Sequence, residues 1–397
     1  MAKTLIIDKT DKTRTPFLRG ILTRSLTDAG LSFETAYQLS SEIRQQIGGK
    51  EEVTTTELRS LVTKRLGQMS QHEVAANYES HTPSTIEIQV TGRKGGTSPF
   101  SLVEHRQTLE STGLSSDKAA LISQSVFLEL LESRKEGVTT HRIGRLTYEK
   151  LKQRYGKEAA RNYLVWIDHK HSKRPLILLI GGTTGCGKST IATEVAHRLS
   201  IIRTQSTDML REVMRMMIPE RLLPGLHTSS FNAWSKIPGQ KLTNVPKEEL
   251  MIQGYLYQTE LVSVPCEAVV QRALKERVSL ILEGVHVSPA LFQRFSQSDD
   301  AVIVPIMLAV LKQDKLKHHL KDRGISAPAR SSQSHYMSHF DSIWLLQTHL
   351  LSVADDHSVP IISNDLKDVA TDSVMRSIIE VLGKRFHGQL DDVFRPD

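Results

Sequence analysis

The chain has 397 residues, 39% of them hydrophobic and 24% charged, the composition of an ordinary globular protein long enough for about two or three domains. Its two cysteines, Cys186 and Cys266, and the lack of any Cys-x-x-Cys or His-Glu-x-x-His spacing exclude a disulfide framework and a zinc ribbon, and no apolar run reaches the length of a membrane span. A net charge of +7 at pH 7 suits a polyanionic ligand, but aromatics are only 5% and no Lys/Arg stripe interleaves with them, so a phosphate-rich small molecule is expected rather than nucleic acid.

Met1-Ala2-Lys3-Thr4-Leu5 lacks the apolar core of a signal peptide, and a reducing cytoplasm is the expected compartment. Nothing in the sequence bears on oligomeric state. The chain then presents one module twice. Pro16-Phe17 recurs as Pro99-Phe100 and Leu31-Ser32 as Leu114-Ser115. Val53-Thr54-Thr55 recurs as Val138-Thr139-Thr140, and the closing Ala76-Asn77-Tyr78 is matched by Asn162-Tyr163 after Glu158-Ala159-Ala160-Arg161. Four separated landmarks, offset by 83 residues early and 85 late with a two-residue loop difference between, indicate duplication. Each copy opens with a short apolar strand (4–7 and 86–90) and a turn, which Gly95-Gly96 supplies in the second copy. Helices follow. Thr54 and Thr139 stand where N-caps belong, with Glu57 completing a capping-box pattern after Thr54. His81-Thr82-Pro83-Ser84 reads as the linker between copies, and 168–175 as the connection onward. The expected division is therefore 1–82, 84–170 and 172–397.

From Pro175 the pattern is α/β. Candidate strands at 176–181, 200–206, 278–283, 301–307 and 359–363 alternate with helical segments, which predicts a parallel sheet wrapped by helices. The proline-punctuated region 218–250 is an irregular excursion, and in a compact domain such a segment is usually functional. Residues 311–335 are basic and helical before Pro328, with the position of a lid.

The chemistry centres on Leu176-Ile177-Leu178-Leu179-Ile180, an apolar run typical of a strand buried on both faces. It turns through Gly182-Thr183-Thr184-Gly185-Cys186-Gly187-Lys188-Ser189-Thr190, the full phosphate-loop pattern, into an amphipathic helix. Glycines let the backbone curl around phosphate, Lys188 places a charge on the β- and γ-phosphates, and Ser189 offers a hydroxyl to Mg²⁺. ATP or GTP binding follows.

Phosphoryl transfer also needs a carboxylate, an acceptor site and positive charge on the migrating group. Asp208 follows the second strand. Three residues from Arg211, it would share one helix face with it, addressing acceptor hydroxyl and acceptor anion together; a simple N-cap is the alternative. Glu283 ends the apolar run Val278-Ser279-Leu280-Ile281-Leu282, a Walker-B-like place for a Mg²⁺ ligand or base, with a structural ion pair as the alternative. Which of Asp208 and Glu283 is the base stays open. His286, two residues past Gly284, reads as a hydrogen-bonding neighbour. On the lid, Lys321-Asp322-Arg323 and Arg330 could close on the transferring phosphoryl, Arg323 in a catalytic role and Arg330 on the substrate; a solvated basic face is the alternative. His227, Ser229 and Ser230, in the excursion segment ending Phe231-Asn232-Ala233-Trp234, are candidate acceptor contacts.

The repeated modules resemble the ATP-cone, a regulatory nucleotide-binding module placed ahead of various enzymes. The resemblance rests on Pro-Phe after a basic hairpin, the Val-Thr-Thr helix start and the closing Ala-x-x-Tyr element. The hairpins Lys9-Thr10-Asp11-Lys12 and Gly92-Arg93-Lys94-Gly95 both depart from that module's usual turn, so a docking module without ligand is the alternative. Beyond residue 175, the chain resembles the 2-phosphoglycerate kinase family. The phosphate loop, Ser206-Thr207-Asp208-x-x-Arg211-Glu212, Leu226-His227-Thr228-Ser229-Ser230, Ile281-Leu282-Glu283-Gly284-Val285-His286-Val287 and His335-Tyr336-Met337 carry that resemblance. It implies transfer of the ATP γ-phosphoryl to 2-phosphoglycerate with ATP and Mg²⁺ as cofactors, giving 2,3-bisphosphoglycerate. Another phosphorylated or polyol acceptor, or a nucleotide-sensing ATPase, is the alternative outcome.

Overall fold

Short β-rich segments next to well-capped helices shape the first unit. The computed structural model describes residues 4–7, 14–80, 88–93, 95–132, 138–238, 245–295, 300–326 and 333–395. The chain divides into two compact units, Met1–Glu87 and Ile88–Asp397. In the first, β1 (Leu5–Ile7) pairs antiparallel with β2 (Arg14–Pro16), and α1 (Arg19–Asp28) and α2 (Phe33–Ile47) follow. β3 (Glu52–Thr54) returns parallel to β1, in the register Ile6↔Val53. Thr54 then caps α3 (Thr55–Gln68). Its hydroxyl accepts from the Glu57 amide at 3.2 Å while the Glu57 carboxylate accepts from the Thr54 amide at 3.0 Å, and α4 (His72–Ser80) closes the unit. Leu26, Leu39, Ile43, Val62 and Leu66 form its core.

The second unit begins with the same design. β4 (Gln89–Thr91) pairs antiparallel with β5 (Thr97–Pro99); α5 (Leu102–Glu110) and α6 (Ser116–Glu132) follow; β6 (Val138–Thr139) pairs parallel with β4. The register Val90↔Val138 repeats Ile6↔Val53, and Thr139 caps α7 (Thr140–Ser172) through the Arg142 amide. Each Val-Thr pair is thus a third strand as well as a helix start. The hairpin tip at Lys9–Lys12, Lys94 and the segment His81–Ser84 lie outside the described residues.

Helix α7 kinks at Gly156, whose φ of +89° favours glycine. Before and around the kink, Leu151, Ala160 and Tyr163 fill the module's core. Val165 and Trp166 line the core beneath the large sheet, and the helix runs to Ser172, through the first part of the segment read as a connection. There follow β7 (Leu176–Gly181), α8 (Lys188–Leu199), β8 (Arg203–Ser206), α9 (Thr207–Met217) and α10 (Lys247–Glu276). Between α9 and α10, two 3₁₀ turns, Pro224–His227 and Ser230–Lys236, order the described part of the excursion. β9 (Leu280–Glu283), α11 (Pro289–Phe295), β10 (Val302–Ala309), α12 (Gln313–Ser326), α13 (Gln333–Ser338), α14 (Phe340–Asp356), β11 (Ile361–Ser363), α15 (Lys367–Arg385) and α16 (Leu390–Val393) complete the unit.

The five strands form a parallel sheet in the order β11-β10-β7-β9-β8, the expected α/β class. Strand order reverses at β7, so the ligand crevice opens at its carboxyl end. All six β7 residues are buried; Leu176, Leu178 and Ile180 face one core while Ile177 and Leu179 face the other. Three strands start later than expected because left-handed residues end the preceding helices. These are Ser200, Arg277 and Ser358, with φ of 55°, 53° and 53°. At the far end α16 returns to the second module. Phe394 stacks on Tyr163 at 6.1 Å between centroids, and a Cβ on Gly144 would stand 2.0 Å from its ring. Arg93 donates to the Val393 carbonyl, and Arg145 pairs with Asp391. No helix among the described residues is long and apolar enough to cross a membrane.

Candidate active site

The phosphate loop joins β7 to α8 and can close only with glycine at its tight points. Gly182 has φ +138°, and a Cβ there would stand 2.4 Å from the Leu308 carbonyl oxygen; at Gly187, with φ +86°, it would stand 2.2 Å from Asn364 Nδ2. The loop is braced from outside. Asn364 Nδ2 donates to the Cys186 carbonyl at 3.0 Å, Thr183 Oγ1 donates to the Ile343 carbonyl at 3.4 Å, and His319 Nδ1 lies 3.2 Å from the Gly185 carbonyl. Leu320 of α12 packs where a Gly185 side chain would be, so the helix read as a lid is anchored on the loop. The first turn of α8, where a helix start leaves backbone amides without intrahelical carbonyl partners, is the kind of place where phosphate binds.

Two polar side chains of the loop and helix start have well-defined partners. Lys188, 8% exposed, donates from Nζ to the Thr183 carbonyl at 2.8 Å, the contact that phosphate oxygens would replace. Ser189 Oγ donates to Glu283 Oε1 at 2.9 Å, and Glu283 is 5% exposed. Burial raises the pKa of the Cys186 thiol, although Lys188 nearby pulls the other way. It therefore packs as a thiol. Beside the loop a cavity of about 600 Å³ is lined by Ser189 and Thr190, with His319, Asn364, Asp365 and Lys367 on its other walls.

The acceptor-side candidates hang from the next strand ends. In the sheet Glu283 stands level with Ile180 on one side and Ser206 on the other. One carboxylate thus sits between the strand entering the phosphate loop and the strand entering α9, at about 4.8 Å spacing. Ser206 caps α9, accepting from the Asp208 amide at 3.2 Å, so the cap is not Asp208 itself. Gly284 (φ +156°) lets Thr207 press against the chain; a Cβ there would stand 1.7 Å from Thr207 Oγ1. The Asp208 side chain is 51% exposed and that of Arg211 only 14%. Arg211 Nη2 lies 3.9 Å from Asp208 Oδ1 and 3.7 Å from Glu212 Oε1, and Nη1 donates to the Thr228 carbonyl. Its Nε is buried with no hydrogen-bond partner among the described residues. An orphaned guanidinium N–H next to a half-exposed carboxylate suits an anionic ligand.

His227, Ser229 and Ser230 lie in the adjoining excursion. His227 Nε2 donates to the Ile218 carbonyl at 2.9 Å, so that nitrogen holds the segment together; Ser230 is buried and Ser229 half-buried. Arg323 falls in the last turn of α12, its side chain outside the described residues, as is Arg330 altogether. Asp322 lines the cavity by the phosphate loop. Sequence reasoning missed Asn364 and His319, and gave Thr207 no role beyond its place in the Ser206-Thr207-Asp208 motif. Asn364, directly after β11, had the one usable signal, a polar residue at the carboxyl end of a parallel strand.

Comparison with known proteins places these features in context. The sequence profile described as ATP cone domain matches residues 5–81, the first of the two copies. A 2-phosphoglycerate kinase of Pyrococcus furiosus is 37% identical over 282 residues, 71% of this chain and 90% of the relative. Those of Pyrococcus horikoshii and Methanopyrus kandleri are 35% and 33% identical, each over 72% of this chain and over 92% and 85% of their own length. The matched stretches are longer than the chain from Ser172 onward, so they reach into the repeat; the Pyrococcus relatives are shorter than this chain by about one copy of it.

Proposed function

The chain belongs to the 2-phosphoglycerate kinase family, and from that premise we propose that it transfers the γ-phosphoryl group of ATP to the 3-hydroxyl of 2-phosphoglycerate, giving 2,3-bisphosphoglycerate and ADP. The observation that carries the acceptor assignment is the largely buried Arg211 side chain beside Asp208, its Nε buried with no hydrogen-bond partner among the described residues. It favours a phosphorylated, anionic acceptor over a neutral polyol.

The phosphate loop and Lys188 hold the triphosphate, and Lys188 exchanges its carbonyl contact for phosphate oxygens. Ser189 and Glu283 are hard oxygen donors already in contact, which fits Mg²⁺ held by one carboxylate, a hydroxyl and nucleotide phosphates. Bound there, Mg²⁺ would neutralise charge on the phosphates. That leaves Asp208 as the group for the acceptor: its carboxylate takes the 3-hydroxyl proton as the oxygen bonds to the γ-phosphorus and the bond to the ADP oxygen breaks. Arg211 holds the acceptor's phosphate or carboxylate. Arg323 and Arg330 are assigned to the closing lid, and His227, Ser229 and Ser230 to the acceptor wall. Two cone-like modules, 1–82 and 84–170, ahead of a kinase domain at 172–397, confer regulation by nucleotide.

Incubation with MgATP and 2-phosphoglycerate tests the proposal. ADP should accumulate only when both are present. ADP release that is indifferent to 2-phosphoglycerate would refute the acceptor.

A further inference from the structure

Behind the site, out of reach of any substrate, a chain of buried side chains joins three elements. Thr207, His286 and Gln258 are completely buried. Gln258 of α10 lies with Nε2 at 2.6 Å from the Gly225 carbonyl and 3.0 Å from the Thr228 carbonyl. Only its amide nitrogen can donate to carbonyls, so Oε1 faces His286 Nε2, 3.0 Å away, and that nitrogen carries the proton. Nδ1 of His286 is then the acceptor, and the Thr207 hydroxyl donates to it at 3.1 Å. Burial lowers the His286 pKa to about 3, with Asp208 opposing and Arg211 and Lys188 reinforcing, so the ring stays neutral and the direction of every bond is kept.

The ends of this chain are both on the acceptor side. Thr207 immediately precedes Asp208 and presses on Gly284, the residue after Glu283. Gly225 and Thr228 belong to the excursion, and the Thr228 carbonyl also receives Arg211 Nη1. A second tie, from the Tyr255 hydroxyl to the Val285 carbonyl at 2.9 Å, holds α10 to the same turn. The phosphate loop is braced by a different set: Asn364, His319 and the Ile343 carbonyl.

We propose that His286 is a positioning residue for the acceptor, locking the start of α9 to the 224–236 segment through Thr207 and Gln258 so that Asp208, Arg211 and that segment act as one preassembled unit. This rests on the assignment of that face to the acceptor. Its consequence is selective: loosening the chain weakens acceptor recognition and leaves the ATP side alone.

Full-length variants test it by two readouts. His286→Phe cuts both links, His286→Gln keeps a donor toward Gln258, Thr207→Val cuts the Thr207 link alone, and Gln258→Leu removes the His286 link together with both carbonyl contacts; the last two stand in should His286→Phe not fold. In steady-state kinetics His286→Phe should raise the acceptor KM about tenfold or more while the ATP KM stays within about twofold, and His286→Gln should recover most of the loss. In ligand-free hydrogen–deuterium exchange, amides 225–236 should exchange about tenfold faster in His286→Phe and Gln258→Leu, with 183–190 unchanged. Equal rises in both KM values, or faster exchange spread evenly through the unit, would overturn the proposal as mere destabilisation. Should the wild-type protein ignore 2-phosphoglycerate, the substrate assignment fails alone, and the exchange pattern still decides the role of His286.

Discussion

Glu283→Gln removes one charge and almost no volume. The carboxylate is 5% exposed, and its Oε1 accepts from Ser189 Oγ at 2.9 Å. The glutamine amide oxygen can accept the same hydrogen bond, so the fold should lose no more than about 1 kcal/mol. What disappears is the negative charge proposed to hold Mg²⁺ between the donor and acceptor strand ends. Losing one preorganised electrostatic group of this kind costs about 3–4 kcal/mol in the transition state, a fall in kcat of about 10²–10³. Half-saturation by Mg²⁺ should shift to higher concentration at the same time. ADP release titrated with MgCl₂, alongside thermal melts of both proteins, measures all three quantities. A variant that keeps kcat within about threefold would refute the metal role. One that melts far below wild type would assign Glu283 to structure instead.

Three further outcomes follow from particular contacts. Arg211→Ala should raise the acceptor KM by about 10–100-fold with the ATP KM unchanged, since a charge-assisted contact is lost; equal loss for ATP would move Arg211 to the donor side. Phe394→Ala should destabilise the second unit by about 3–5 kcal/mol, because a buried ring that stacks on Tyr163 is deleted. A melting temperature unchanged from wild type would show that α16 does not hold the second module. Burial keeps His105 and His169 near pKa 4 and His286 near 3, below the ordinary 6.5. The unfolded chain therefore binds more protons than the folded one below about pH 6.5, and stability is lost as pH falls toward those values, by up to about 1.4 kcal/mol per unit for each histidine. Melting temperatures taken from pH 7.5 down to 5 should decline; a flat profile would contradict the buried neutral rings.

Most of the sheet was legible because β7 and β9 are continuous apolar runs, and a strand buried on both faces can hardly be written otherwise. Strand starts were less so. Ser200, Arg277 and Ser358 end helices in a left-handed conformation that no periodicity reveals. The third strand of each module is two or three residues long, too short for alternation, and became visible only through its pairing with the first. The course of α7 was hidden for another reason: Gly156 reads as a break, yet the helix continues beyond it and delivers Val165 and Trp166 to a different core. In the site, Lys188, Ser189, Asp208 and Glu283 were legible from local spacing. The link from Thr207 to Gln258 was not, since its partners come from distant parts of the chain and a lone polar residue on a long helix carries no signal of what it will meet. Asn364 lies between these cases, its position after a strand suggestive and its contact with the phosphate loop purely tertiary.

The central claim is that the phosphate-loop side and the Asp208–Arg211 side form one two-substrate site. Phosphorus NMR of the product formed from MgATP and 2-phosphoglycerate tests it most directly. A second phosphomonoester on carbon 3, appearing with ADP in equal amounts and absent with Asp208→Asn, is the expected result. ATP consumed to inorganic phosphate with 2-phosphoglycerate left intact would contradict it.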